Sequence, residues 1–599
     1  MNESIFTQLR SAPVYKLSSI ARLLLPNLVF SLLSLAVVTL IDILVKTIGL
    51  DRFALVNSYP VSYLILFLVF MLVSFIQNKR VFFCSMVIVS VLILFEAIYM
   101  QYFGRFIPQQ QINDLFYEYD EIYPVITVQA RLVMLALIPA ILNLVLFVSI
   151  SRMTSNRIGF PHAGTTLVFL FLCFSLWVYN YQDKVNVAPQ PIFLNTYLSM
   201  VHTSTMYLTH ELPRTFSLVE NITEPYVADT PEILQHHHSK PVNIVFIMGE
   251  SLGSDHMSVY GYSRETTPFL EQILSRQDVV IKKGIAASAK TSISVPHIVN
   301  MIKKPDGMQQ ILSDRTNLFR LARENNMITH YVTATNIHFL KSFINYMGVR
   351  YIDRFIDLNP DREVDNLMDE VVVDYLENVD FSRSNFVMLH MRGSHTPYRK
   401  RYTEAFARYP VNRDLPFRQR EINAYDNSVL YTDYVIERTF RFLKNATKNP
   451  AYLVFTSDHG ESLGENGIWG HLNNRIPTVI RVPAVIIAVN NADLSFVDEM
   501  VNTAVNREIM NQFELSKLVS RMMGYDTPAS SVQGEGYYVN GERLDGSSGF
   551  LRLVVNKNHE LIDPASGNQY ISEPYQLANG SINDDFLFQV RVENTHDTR

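Results

Sequence analysis

The chain has 599 residues, a formal net charge of -6, an apolar fraction of 48% and two cysteines. That length exceeds one ordinary domain, and so small and negative a charge argues against a nucleic-acid partner. Cys84 and Cys173 both fall in the apolar first third, so the rest of the chain is not a disulfide-stapled fold.

Long uncharged apolar runs occupy residues 23–41, 53–78, 81–95, 132–150 and 163–182. Each is long enough to cross a hydrocarbon core of roughly 30 Å as a helix, the third by continuing past Glu96. Arg10, Lys16 and Arg22 precede the first run, Lys79 and Arg80 join the second to the third, and Arg152 and Arg157 join the fourth to the fifth. Those loops are expected on the cytoplasmic side, opposite Lys46, Arg52, Arg105 and the acidic run Asp114, Glu118, Asp120 and Glu121. Five spans would place everything after Gln182 outside the cytoplasm. The first run is of span length without a small-residue cleavage pattern, so no signal peptide is expected. Residues 1–182 are therefore read as a five-helix transmembrane domain.

Residues 183–240 carry Pro189, Pro191, Pro213, Pro225 and Pro231 and read as a membrane-proximal connector. His236, His237 and His238 read as a solvated cluster, because three consecutive side chains cannot all face one ion. From residue 241 to 525, apolar strand-like runs alternate with amphipathic helical ones. That alternation predicts an α/β domain with a mostly parallel central sheet covered on both faces. Residues 526–599 read as a β-rich extension of unassigned role.

In such a domain ligands collect at the carboxyl ends of strands. The run Asn243-Ile-Val-Phe-Ile-Met-Gly delivers Glu250 to one strand end, and Ala451-Tyr-Leu-Val-Phe-Thr-Ser delivers Asp458 and His459 to another. Two carboxylates and an imidazole suit zinc and are acceptable to manganese. Each residue alone has a plainer account as a cap or turn residue; their joint placement favours ligation. Between them, Lys290-Thr291-Ser-Ile-Ser-Val-Pro296 supplies a hydroxyl that a cation could activate. Ser288, Ser292 and Ser294 are rivals for that role, and Thr291 could equally be a helix N-cap. His395 and His471 lie in glycine-flanked loops, where a histidine can act as a general acid or simply bond to backbone. The chain reads as a metal-dependent group-transfer enzyme.

The run from Asn243 through His256-Met-Ser-Val-Tyr-Gly-Tyr to Pro268 resembles the first motif of the membrane-bound phosphoethanolamine transferases of Gram-negative bacteria, members of the alkaline phosphatase and sulfatase superfamily. Thr291-Ser-Ile-Ser-Val-Pro296 is similar to their nucleophile motif, His390-Met-Arg-Gly-Ser-His395 to their histidine loop, and Ser457-Asp458-His459-Gly-Glu-Ser-Leu-Gly to their metal motif, followed by a distal histidine matched by His471. The resemblance runs from about residue 20 to 525. It implies a zinc held by Glu250, Thr291, Asp458 and His459, with His395 and His471 contacting the transferred group or a second metal. It further implies a multi-pass protein of the bacterial inner membrane with its catalytic domain in the periplasm. Thr291 would take phosphoethanolamine from phosphatidylethanolamine and pass it to a cell-envelope glycan or lipopolysaccharide.

Two features depart from the lipid A-modifying members. His297 follows the Pro of Ser-Val-Pro where those members usually carry a cysteine, and their donor-binding motif has only a partial counterpart at Thr335, Asn336, His338 and Lys341. A phosphoglycerol transferase using phosphatidylglycerol is the alternative enzyme. A sulfatase is disfavoured, since Thr291 cannot supply formylglycine chemistry. A non-catalytic membrane partner would not need the retained ligand set, and a transporter built on Asp42 and Glu96 would leave the large soluble domain unexplained.

Overall fold

The computed structural model describes residues 4–49, 60–76, 78–103, 106–107, 112, 130–159, 195–208, 234–235, 241–303, 308–335, 340, 343–359, 367–412, 414–465, 468–471, 474, 476–497, 509–526, 537–542, 548–555 and 561–562. Two compact units divide the chain after Ser217.

In the first unit, helices α1 (Ser4–Gly49), α2 (Pro60–Ser74), α3 (Lys79–Phe103) and α4 (Ala130–Met153) pack together, and the shorter α5 (Thr196–Met206) packs on α1 and α3. Among the described residues three segments are long and apolar enough to cross a membrane, Leu23–Thr47, Lys79–Gln101 and Val133–Met153, and Ser62–Ser74 is a shorter apolar helix. The third helix does run past Glu96. The fifth expected span, 163–182, lies outside the described residues, as do His236, His237 and His238. The two buried carboxylates of this apolar unit are paired, as a medium without water demands. Asp42 accepts from the Thr196 amide at 2.7 Å and from its hydroxyl at 2.6 Å, and its other oxygen meets Lys46 at 2.7 Å. Glu96 accepts the Ile107 N–H at 3.0 Å. Both carboxylates thus have structural partners within the unit.

The second unit is built on an eight-stranded sheet. Its strands are β1 (Asn243–Gly249), β2 (Val279–Ile285), β3 (Ile328–Thr333), β4 (Arg354–Asp357), β5 (Asn385–His390), β6 (Ala451–Ser457), β7 (Arg481–Val489) and β8 (Ile509–Asn511), in the order β8-β2-β7-β6-β1-β5-β3-β4. The sheet is mixed. β7 runs antiparallel to both β2 and β6, whereas the remaining neighbours pair in parallel. The helices that matter below are α6 (Thr291–Val299), α7 (Leu318–Glu324), α8 (Phe417–Ala446) and α9 (Gln512–Met522).

β1 is central and buried throughout. Ile244, Phe246 and Met248 pack with Leu318 and Phe319 of α7 and Leu515 and Val519 of α9, and Val245 and Ile247, on the opposite face, are equally inaccessible. A strand covered on both faces needs an unbroken apolar run, which is what its sequence supplies. Beyond the sheet, β9 (Tyr537–Glu542), β10 (Ser548–Val555) and β11 (Leu561–Ile562) form a separate antiparallel sheet.

Candidate metal centre

Register assembles the site. β1 pairs Met248 with His390 of β5 on one side and Gly249 with Ser457 of β6 on the other. The next residues out of β1 and β6, Glu250 and Asp458, therefore emerge side by side, flanked by His390. Thr291 enters from the first turn of α6. Its N-cap is Lys290, without a side-chain capping bond, so the Thr291 hydroxyl is turned into the site rather than onto its own helix. Two of the rival hydroxyls have other partners: Ser288 accepts the Lys290 N–H, and Ser294 donates to the Asp458 carbonyl at 2.6 Å.

Glu250, Thr291, Asp458 and His459 are all at most 4% exposed. Thr291 Oγ1 donates to Glu250 Oε1 at 3.0 Å and lies 3.1 Å from His459 Nε2. That imidazole nitrogen is also 3.5 Å from Glu250 Oε1 and 3.2 Å from Asp458 Oδ2. His459 Nδ1 sits 2.9 Å from the Gly460 carbonyl, which can only accept, so the proton of the neutral ring belongs on Nδ1 and Nε2 presents a lone pair. One hydroxyl proton is then shared among four electron-rich atoms. Glu250 Oε2 and Asp458 Oδ2 are buried without a hydrogen-bond partner. Burial, and then the Asp458 carboxylate, push the Glu250 carboxyl above its usual range. Such an arrangement fits a divalent cation, and ligand atoms of Glu250, Asp458 and His459 all lie within 4.8 Å of one another.

The ligands are held by backbone bonds. Asp458 Oδ1 accepts the N–H of Ser251 at 3.0 Å and of His459 at 2.7 Å. Ser251 has a left-handed φ of 56°, and Tyr425 clamps this turn by donating to the Ser251 carbonyl at 2.7 Å and accepting from Gly253 N–H at 2.8 Å. Gln512, the first residue of α9, accepts from the Ala287 N–H at 2.6 Å and donates to the carbonyls of Ser457 and Asp458, tying the loop before Thr291 to the loop that carries Asp458 and His459.

The second histidine pair gathers at the same site. The His471 ring stacks on His459 with centroids 4.2 Å apart, and His395 lies 5.4 Å from His471. His471 Nδ1 meets Glu461 Oε2 at 2.9 Å, and Glu461 Oε1 accepts from Tyr398 at 2.9 Å. His459, Glu461 and His471 form a second group with metal-ligand spacing among the described residues. The His395 loop is anchored through Asp369, whose carboxylate accepts the N–H groups of Arg392 at 2.7 Å and Gly393 at 2.8 Å, and through Ser394 N–H, which donates to the Glu250 carbonyl at 2.8 Å.

Sequence reasoning missed four of these residues. Glu461 stood inside the Asp458-His459-Gly-Glu461 motif and could have been read there. His390, fully buried with Nε2 3.8 Å from Glu250 Oε2, was visible as the polar end of an apolar strand. Burial lowers its pKa to about 4, so it is neutral. Asp369 and Gln512 act on backbone groups far away in sequence and leave no local signal. His297 is a half-buried helical histidine donating to the Ile293 carbonyl at 2.7 Å, its pKa lowered to about 4 by desolvation. Of the donor-motif candidates, Thr335 is described, and Asn336, His338 and Lys341 lie outside the described residues.

Residues 242–524 match the Sulfatase family model. The phosphatidylethanolamine transferase Mcr-2 of Escherichia coli is 27% identical over 328 residues, which make up 51% of this chain and 59% of that protein. Mcr-1 of the same organism is 33% identical over 253 residues, 39% of this chain and 45% of Mcr-1. The match thus spans about half the length of these relatives. Among solved structures, the integral membrane lipooligosaccharide phosphoethanolamine transferase A (EptA) of Neisseria meningitidis shares the fold, with a TM-score of 0.54 at 17% identity, covering 84% of this chain and 97% of EptA. The chain resembles the membrane-bound phosphoethanolamine transferases, and its residues 242–524 match the Sulfatase family model.

Proposed function

We propose that the protein transfers phosphoethanolamine from phosphatidylethanolamine to a cell-envelope glycan or lipopolysaccharide, with Thr291 as the covalent nucleophile. The observation that carries this reading is the buried Thr291 hydroxyl in contact with both Glu250 and His459, beside two orphaned carboxylate oxygens. Glu250, Asp458 and His459, together with Thr291, would hold zinc, or manganese in its place. Bound there, the cation would lower the pKa of the hydroxyl and offset charge on phosphoryl oxygens.

Thr291 Oγ forms a bond to phosphorus as the bond from phosphorus to the diacylglycerol oxygen breaks. The proton lost from the Thr291 hydroxyl is taken up by solvent, and one proton is delivered to the diacylglycerol oxygen as it departs, so the first transfer is proton-neutral. In the second transfer an acceptor hydroxyl attacks the same phosphorus, Thr291 Oγ leaves, and the proton released by the acceptor restores the hydroxyl. His395 and His471 are placed to contact the transferred group, or to hold a second metal with Glu461, and His471 backed by Glu461 suits proton transfer to a leaving oxygen. The apolar helices of the first unit would keep the enzyme in the bacterial inner membrane with the catalytic domain in the periplasm, where the donor lipid is a membrane component.

Peptide mass spectrometry tests this reading. Detergent-purified, zinc-loaded protein is incubated with phosphatidylethanolamine or phosphatidylglycerol, without acceptor, alongside Thr291→Ala. A phosphoethanolamine adduct on Thr291 from the first lipid alone is the expected result. A glycerophosphate adduct would move the protein to the phosphoglycerol transferases, and no adduct from either lipid would reject the covalent reading.

A further inference from the structure

The C-terminal strands lie beyond the sulfatase match, which ends at residue 524, yet they reach the nucleophile loop. Asn540 in β9 donates its N–H to the Ala287 carbonyl at 2.7 Å, and its own carbonyl accepts the Ala289 N–H at 3.2 Å. Ser288 and Asn540 thereby form a parallel bridge, two residues before Lys290 and three before Thr291. Both backbone groups of Asn540 are spent on this loop, so its pairing with Phe550 in β10 belongs to the non-hydrogen-bonded kind.

The same strand reaches a second loop. Asn474, three residues after His471, donates its side-chain amide to the Val539 carbonyl at 3.0 Å. The hairpin is seated by an apolar cluster in which Tyr537, Val539, Leu551 and Leu553 pack against Ile285 at the end of β2 and Ile480 at the start of β7. On its other flank the nucleophile loop meets Gln512, which takes the Ala287 N–H. Ala287 is therefore held through its N–H from inside the family domain and through its carbonyl from outside it.

We propose that the β9–β10 hairpin is a positioning element of the active site, which sets Thr291 through Ala287–Ala289 and His471 through Asn474. This rests on Thr291 being the nucleophile. A stretch of chain outside the family domain thus completes the frame around a reacting hydroxyl, where displacement by about 1 Å is costly to rate.

The test uses the full-length, zinc-loaded protein. Asn540→Pro removes the N–H given to Ala287 while sparing the bonds between β9 and β10; Asn540→Ala keeps that N–H, giving up only the long 3.4 Å bond from its side-chain amide to the same carbonyl, and is the control. Val539→Ala, which loosens the seat of the hairpin and retains every backbone donor, is a second variant should the proline variant fail to fold. Hydrogen exchange over residues 286–291, zinc content, melting temperature and the rate of adduct formation on Thr291 are measured together. The expected result for Asn540→Pro is lost protection in this loop and about 10- to 100-fold slower adduct formation, with zinc content and melting temperature kept, and wild-type behaviour for Asn540→Ala. Retained protection, or lost protection with an unchanged rate, overturns the inference. A slower rate accompanied by loss of zinc also overturns it, since the hairpin would then serve the metal ligands. If the wild type forms no adduct from either lipid, the proposed function fails separately, and the exchange measurement alone decides whether the hairpin holds the loop.

Discussion

The Thr291 hydroxyl donates to Glu250 Oε1 across 3.0 Å, joining the first turn of a helix to the end of the central strand. The contact is inaccessible to water, since Glu250 is 4% and Thr291 2% exposed. Replacing Thr291 by Ala removes the group that would form the covalent bond, and transfer should fall by on the order of 10³-fold or more. Thr291→Ser keeps the oxygen and should retain measurable transfer. Equal activity in Thr291→Ala and wild type, followed as product formed from phosphatidylethanolamine, would remove Thr291 from the reaction.

Metal removal should reach stability as well as activity. Two carboxylates, Glu250 and Asp458, are buried side by side, each with one oxygen lacking a hydrogen bond. A cation that binds only the folded state stabilises it by about 2.7 kcal/mol at a concentration 100-fold above its dissociation constant. Chelation should therefore lower the melting temperature and abolish transfer, and zinc should restore both. Glu250→Gln should weaken this response to zinc. A melting temperature indifferent to chelator and zinc alike would argue against a metal centre here.

Gly393 is tied to Glu250 more tightly than its position in sequence suggests. Its φ is +56°, and a Cβ there would stand 2.5 Å from both the amide nitrogen and the carbonyl oxygen of Glu250. Gly393→Ala should cost about 1–3 kcal/mol in backbone strain alone, and the clash should displace the Glu250 carboxylate. The expected outcome is a lowered denaturation midpoint together with weaker zinc retention. Native zinc affinity in the variant would show that the loop can yield without moving the ligand.

The clustering of Glu250, Asp458 and His459 could be read from the sequence because these candidate ligands sit where apolar runs stop. Glu250 and Asp458 each follow a strand buried on both faces, and such a strand announces its own end. The direction of β7 could not be read in the same way. Arg481–Val489 is buried along its whole length, and an unbroken apolar run looks the same in either direction, so a mostly parallel sheet was expected where a mixed one is found. Asp369 and Gln512 escaped notice because they serve backbone groups 23 and 225 residues away, and no side-chain motif records such bonds. The composition of residues 526–599 marked them only as β-rich, and the docking of β9 on Ala287 depends on main-chain groups that carry no residue signature.

Glu514 should impose a pH dependence on the catalytic domain that is independent of the metal centre. It closes the capping box of α9, where its carboxylate accepts the Asn511 N–H at 2.9 Å. Burial raises its pKa from 4.5 to about 7, against the lowering influence of that hydrogen bond and of Lys517 and Lys303. The folded state then holds this proton more tightly than the unfolded chain. Its contribution to stability is greatest below pH 4.5, declines as pH rises through about 7, and is flat above that. Glu514→Gln keeps a carbonyl acceptor for Asn511 and cannot ionise. The variant should match wild type near pH 4.5 and exceed it by up to roughly 3 kcal/mol at pH 8, the equivalent of about 2.5 pKa units. Denaturant midpoints of the two proteins across this range would check it. A constant difference between them at every pH would mean that Glu514 binds its proton equally in the folded and unfolded states, with the helix N-terminus cancelling the effect of burial.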